Sequence, residues 1–196
     1  VENKKLEEAE DIFDGKPILR ITPYKLKKAG IITTGSEVYK GIIKDTFTPV
    51  LVEKLNYYGI QTTEHIVVDD GIYNIISAIE KLKSKDIDVI LCTGGMSVDP
   101  DDNTPGAIKN SGAKIVTYGA PVLPGAMFLL GYYENGIPIM GLPGCVMYAG
   151  ATVFDLVLPK IAAGIKVTKK DIVKMGNGGL CFACKECRYP VCPFGK

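Results

Sequence analysis

The stretch 87–92 (IDVILC), followed at once by Thr93-Gly94-Gly95-Met96-Ser97, decides how the chain reads. Six mostly apolar residues, rich in β-branched types, form a run too short for a helix and are stopped by a glycine pair. That is the signature of a strand buried on both faces, as parallel sheets require. A strand ending in a glycine turn also places that turn at a carboxyl edge, where open α/β sheets bind ligands.

Working outward, the same alternation recurs. Upstream, Ile72, Ile75, Ile76, Ile79 and Leu82 mark one face of a helix. Before it, 62–68 is rich in β-formers and is punctuated by Asp69-Asp70-Gly71. A helix is expected over 48–55, with Thr48 as N-cap, Pro49 in the first helical position and Gly59 as the stop. A first buried strand is expected over 29–34. Downstream, a polar loop covers 97–103 and a short helix begins at Thr104-Pro105. Strands follow over 115–118 and 127–133. Asn135-Gly136 signals a hairpin into 137–140. Leu142-Pro143-Gly144 then opens a long helix running through Tyr148, Phe154, Leu158 and Ile161. The pattern predicts a three-layer αβα fold with a mostly parallel sheet and right-handed crossovers.

The expected organisation has three parts: an N-terminal linker or helix over 1–27, an α/β domain over 28–165, and a charged linker with a Cys-rich tail over 166–196. In the first part, Leu6, Ala9, Ile12 and Phe13 at helical spacing suit a short amphipathic helix entering the domain, and 17–24 reads as extended. The chain starts with Val1 and a charged segment with no apolar h-region, which reads as a fragment or trimmed product rather than a secreted precursor.

Of 196 residues, 46% are hydrophobic and 23% charged, the balance of an ordinary globular protein. A net charge of +1 gives no electrostatic case for nucleic acid or an anionic membrane. No apolar run approaches the roughly 18 residues of a membrane span. Four of the six cysteines crowd into 181–196, unlike a disulfide framework, and this points to a reducing, cytoplasmic setting.

Three strand ends are rich in glycine and hydroxyls: Thr33-Thr34-Gly35-Ser36-Glu37, Thr93-Gly94-Gly95-Met96-Ser97 and Gly141-Leu142-Pro143-Gly144. Converging, they would supply amides and hydroxyls to a phosphorylated ligand. Glu37, Asp45, Asp99, Asp101 and Asp102 lie beside them, and hard oxygen ligands next to a phosphate site suggest Mg²⁺. The run 99–102 also reads as a solvated acidic turn capping the next helix. His65, the single histidine, falls in a strand away from the loops and reads as structural. Cys92 reads as core, and Cys145 as a thiol at a helix N-terminus, where its pKa can fall.

Together these residues resemble the molybdopterin-binding domain family over roughly 28–165. Residues 93–97 continuing to Asp102-Asn103-Thr104-Pro105 look like its signature loop. Residues 33–37 with Asp45-Thr46 resemble its first phosphate loop, and 141–144 resembles the Gly-Leu-Pro-Gly loop of its molybdopterin molybdenumtransferase branch. The resemblance implies work on molybdopterin, a pterin with a dithiolene and a terminal phosphate. One branch adenylylates that phosphate with Mg-ATP; another releases AMP as molybdate enters the dithiolene. Related competence-damage-inducible proteins read other nucleotides. Residue by residue, it implies Asp102 and Asp45 as catalytic or Mg²⁺-linked groups. Thr34, Gly35, Ser36, Glu37, Gly94, Gly95, Ser97 and Gly144 become ligand contacts. It also implies a homo-oligomer, trimer or dimer, with molybdopterin, nucleotide and molybdate as small-molecule partners.

Two positions depart from the molybdate-inserting branch. Phe47 stands where Asn is usual, and Cys145 follows Gly144 where that branch has Asn. With the upstream domains of that branch absent from this sequence, a non-catalytic molybdopterin carrier or sensor module stands beside the two enzymatic readings. Finally, Cys181, Cys184, Cys187 and Cys192 have metal-ligand spacing, suited to Zn²⁺ or an iron–sulfur cluster. The first three match a ferredoxin run, and the last gap is one residue longer.

Overall fold

Unbroken burial along the central strands builds the molecule. In the computed structural model, which describes residues 2–12 and 19–196, six strands form one sheet. They are β1 (Lys28–Thr34), β2 (Gln61–Val68), β3 (Val89–Thr93), β4 (Lys114–Tyr118), β5 (Leu129–Tyr132) and β6 (Pro138–Leu142). Their order is β2-β1-β3-β6-β5-β4. β2, β1, β3 and β6 run parallel; the hairpin β5–β6 and the pair β4–β5 are antiparallel. The sheet is mixed α/β and mostly parallel, as the buried runs require.

Side chains of each central strand alternate between two cores. Ile31, Val89, Leu91, Met140 and Leu142 face one; Ile32, Ile90, Cys92 and Ile139 face the other. The first core is covered by α3 (Phe47–Tyr57) through Leu51 and Leu55, and by α6 (Val153–Ala162) through Phe154, Val157, Leu158 and Ile161. The second is covered by α4 (Ile72–Lys83) through Ile75, Ile79 and Leu82, and by α5 (Thr104–Asn110) through Ala107 and Ile108. Each large side chain so buried contributes about 1.5–3 kcal/mol.

Three expectations need correction. α3 starts at Phe47, with Thr46 at its N-cap, so Pro49 stands in the third helical position and Thr48 inside the helix. The Asp45 carboxylate accepts from the amides of Phe47 and Thr48 at 2.9 and 3.0 Å, doing the capping expected of Thr48. The long helix expected after Leu142 is two elements. A single 3₁₀ turn, Gly144–Met147, is followed by a loop, and α6 begins afresh at Val153. Thr152 starts it with a capping box: its Oγ1 accepts from Phe154 N–H at 3.2 Å, and Asp155 accepts from Thr152 N–H at 2.7 Å. Lastly, α1 (Asn3–Ile12) is helical but buries none of its residues, so it does not enter the core. The expectations for Phe13 and Pro17 lie outside the described residues, and 19–24 forms no strand.

Beyond 165 the chain keeps packing. α7 (Lys169–Lys174) buries Ile172, and Val167, Met175 and Phe194 join the first core. No helix is long and apolar enough to cross a membrane among the described residues.

Candidate functional site

The parallel strands β2, β1, β3 and β6 deliver their carboxyl ends to one edge. The order in which strands are added reverses between β1 and β3, β2 lying outside β1 and β3 on its other side. α3 leaves β1 on one face, and α4 leads into β3 on the other. Such a switch point opens a crevice above the sheet. A cavity of about 290 Å³ lies there, lined by Thr34 from β1, Asp70 after β2, Gly95, Asp99, Asp101 and Asp102 after β3, and Asn103 and Thr104 at the start of α5.

Two loops meet here at backbone distance. Gly94 and Gly95 adopt φ of 80° and 53°. A Cβ on Gly94 would sit 2.1 Å from the Thr34 carbonyl oxygen, and one on Gly95 would sit 2.9 Å from Thr104 Oγ1. Only glycine fits either position. Thr104 Oγ1 donates to the Gly94 carbonyl at 2.8 Å and lies 3.3 Å from Thr34 Oγ1, which ties both loops to α5. Asp102 accepts from Ser97 N–H at 2.5 Å. Asp70 accepts from Ser36 N–H at 2.9 Å, and its carbonyl accepts from the Asn103 amide at 2.9 Å. In each carboxylate the second oxygen has no hydrogen-bond partner among the described residues.

Thus Thr34, Gly95 and Asp102 line the cavity directly. Ser36 and Ser97 support its rim through their amides, Gly94 shapes it, and Gly35 (φ 146°) turns the chain into the four-residue helix α2 (Ser36–Tyr39). Glu37 is exposed and Gly144 stands in open space; neither lines this cavity.

Asp45 lies elsewhere. Its carboxylate takes hydrogen bonds from Thr48 Oγ1 at 2.6 Å and Thr33 Oγ1 at 3.1 Å besides the two helix amides. Partial burial pushes its pKa up, but the hydrogen bonds from Thr48, Phe47 and Thr33 outweigh this and hold it below the usual carboxylate range. His65 joins this group, with Nε2 2.9 Å from Thr33 Oγ1 and 3.5 Å from Asp45. The histidine is therefore beside the end of β1, not away from the loops. Cys145 also departs from expectation: burial raises its thiol pKa, and the single 3₁₀ turn Gly144–Met147 that holds it has no helix dipole to offset this.

Asp70 and Tyr118 were not singled out by the sequence as site residues, and Thr104 was read only as a helix start within the signature loop. Asp70 could have been, since Asp69-Asp70-Gly71 ends a strand at the same edge. Tyr118 OH reaches the Ser97 carbonyl only through the fold, at 3.4 Å.

The carboxylate ring of Asp70, Asp99, Asp101 and Asp102 would repel a bare phosphate. Together with a divalent cation it would attract one. Among the described residues no three acidic, histidine or cysteine side chains converge to hold an ion by themselves. Mg²⁺ does not need that: one or two carboxylates, ligand phosphate and water suffice. The free oxygens of Asp70 and Asp102 fit such a site.

A family model described as a probable molybdopterin binding domain matches residues 30–163. A CinA-like protein from Pseudothermotoga lettingae is 40% identical over 86 residues, 44% of this chain and 21% of that protein. A molybdopterin adenylyltransferase from Pyrococcus furiosus is 34% identical over 95 residues, 48% of this chain and 56% of that one. The chain thus matches about a fifth of the length of the first relative and over half of the second. The solved structure of the molybdopterin biosynthesis Mog protein from Mycobacterium ulcerans aligns with a TM-score of 0.59 at 22% identity, covering 71% of this chain and 99% of that one.

Proposed function

Because the chain belongs to the molybdopterin-binding domain family, we propose that the cavity between β1 and β3 takes the phosphate end of molybdopterin, or of its adenylylated form, together with Mg²⁺. We further propose that the chain inserts molybdate with release of AMP, late in molybdenum cofactor biosynthesis. The observation that carries this reading is the meeting of Thr34, Gly95 and Asp102 in one cavity at the sheet's switch point. Gly95 N–H makes no hydrogen bond among the described residues and is available to a phosphate oxygen. Mg²⁺, held by Asp70 and Asp102, would neutralise charge on the phosphates. Water attacks the molybdopterin-side phosphorus, the phosphoanhydride P–O bond breaks, and AMP leaves with the bridging oxygen; the two dithiolene thiols bond molybdate through sulfur and one molybdate oxygen leaves as water. Asp102, oriented by Ser97, lies at the cavity wall to order the attacking water.

The Gly141-Leu142-Pro143-Gly144 loop supports insertion. Adenylylation is the second reading, and the similarity to the Pyrococcus adenylyltransferase favours it. There the same anhydride bond forms, as the molybdopterin phosphate displaces pyrophosphate from ATP. Phe47, buried in the first core, cannot supply the polar contact of the inserting branch, which leaves a carrier role as an outcome of the test. The cytoplasm and a homo-oligomeric state belong to this proposal; Tyr39, Ile42 and Ile43 give it an exposed apolar patch beside the first loop.

The test is AMP release from adenylylated molybdopterin with Mg²⁺, with and without molybdate. Molybdate-dependent release supports insertion. Pyrophosphate release from ATP and molybdopterin moves the assignment to adenylylation. Tight binding with neither product makes the chain a carrier.

A further inference from the structure

Behind the loop that follows the 3₁₀ turn lies a second cavity, of about 320 Å³, and Cys181, Cys184, Cys187 and Cys192 all line it. The segment bearing them is fastened to the domain. Cys181 N–H donates to the Leu123 carbonyl at 2.8 Å, and Leu123 N–H donates to the Gly179 carbonyl at 2.6 Å. Gly195 N–H donates to the Gly178 carbonyl at 2.7 Å, and Tyr189 OH to the Asp155 carbonyl at 2.7 Å. Phe194, buried in the first core, anchors the end. Gly150 makes room for one thiol: a Cβ there would lie 2.9 Å from Cys187 Sγ.

All four cysteines are free thiols. Between the first two, Ala183 has φ 47°, the sole non-glycine residue in the left-handed region among the described residues. Such a conformation costs about 1–3 kcal/mol and persists where the surroundings impose it. Here it turns the chain so that Cys181 and Cys184 reach one cavity.

The cavity's form separates two kinds of metal. A zinc ion lies about 2.3 Å from each thiolate, so its ligands must converge on a point. No three ligating side chains converge in that way among the described residues. The four cysteines instead line one volume, walled otherwise by Phe182, Ala149, Ala151 and Pro193. An iron–sulfur cluster fills a volume. The gaps of two and two residues match the three cysteines that share one cluster in ferredoxin runs, where the fourth serves a second cluster; here the last gap is one residue longer and Cys192 lines the same cavity as the other three.

We propose that Cys181, Cys184, Cys187 and Cys192 hold an iron–sulfur cluster against the 148–151 loop. Each thiol gives up its proton on ligation, so assembly releases protons and depends on pH.

The experiment is iron, acid-labile sulfide and zinc analysis of the full chain purified without oxygen, before and after reconstitution with ferric iron, a thiol reductant and sulfide. The expected result is iron and sulfide in equal amounts, about four of each per chain, with a visible absorption that dithionite bleaches. Cys184→Ser and Cys187→Ser, at exposed thiols, should each lose most of the iron and the absorption while far-ultraviolet circular dichroism stays unchanged. Cys145→Ser, outside the cavity, should keep both. Stoichiometric zinc without sulfide overturns the assignment, as does iron retained in both tail variants or no metal after reconstitution. No readout involves molybdopterin, so failure here leaves the phosphate-pocket reading standing.

Discussion

At Gly94 two loops approach so closely that a methyl group would overlap a carbonyl oxygen. Gly94→Ala should therefore cost about 3 kcal/mol or more, from the overlap and the left-handed φ together. Urea unfolding checks this; a cost near zero would mean that the loops do not meet as described. Asp45 makes a pH prediction. Its folded-state pKa lies below the unfolded one, so the unfolded chain binds the extra proton. The stabilisation is complete above the unfolded value near about 4 and is lost as pH falls through the folded value. Asp45→Asn should flatten the acid limb of stability measured between about pH 5 and pH 3, and an unchanged limb would count against the cap. Asp102→Asn should lower turnover roughly 100-fold and lose most of the Mg²⁺-dependent gain in molybdopterin affinity, while affinity without Mg²⁺ stays within a few-fold, checked by separate rate and binding measurements. Thr34, Gly95 and Asp102 were legible because strand ends and glycine turns are local patterns. Tyr118 was not, because it reaches the site only through a partner distant in sequence; Asp70 was marked by the strand-ending turn 69–71, but its ties to Ser36 and Asn103 span the fold.

Among the elements, α6 is the informative case. The sequence reads as one long helix from Leu142 because its apolar spacing continues. The capping box at Thr152 and Asp155, a local signal in the same stretch, divides it. Asp155 also forms an ion pair with Lys54 of α3, both side chains largely buried. Asp155→Ala should cost about 3–5 kcal/mol, since it removes the cap and leaves a buried ammonium unpaired. Thermal or urea unfolding reads this directly. A loss below about 1 kcal/mol would show the pair to be no more than a surface contact. The misplaced start of α3 has a similar origin. Thr48-Pro49 is a strong N-terminal signal by type, yet the Asp45 carboxylate, three residues before Thr48, takes the first free amides.

For the whole molecule, the alternation of buried strands and amphipathic helices carried the sheet and its layers, because both faces of a parallel sheet must be covered. The packing of 167–194 onto the first core was less legible. Its anchors, Val167, Ile172, Met175 and Phe194, are spread too thinly among charged residues and cysteines to show a period. The sheet's switch point gives the account its central claim, that the acidic cavity between β1 and β3 is a Mg²⁺-assisted phosphate site. The most direct test is titration of molybdopterin into the full chain with and without Mg²⁺, for the wild type and for Asp70→Asn. The account predicts that Mg²⁺ tightens binding to the wild type by at least about tenfold, or about 1.4 kcal/mol, and that the variant loses most of that gain. Equal affinity with and without Mg²⁺ in both proteins would contradict it.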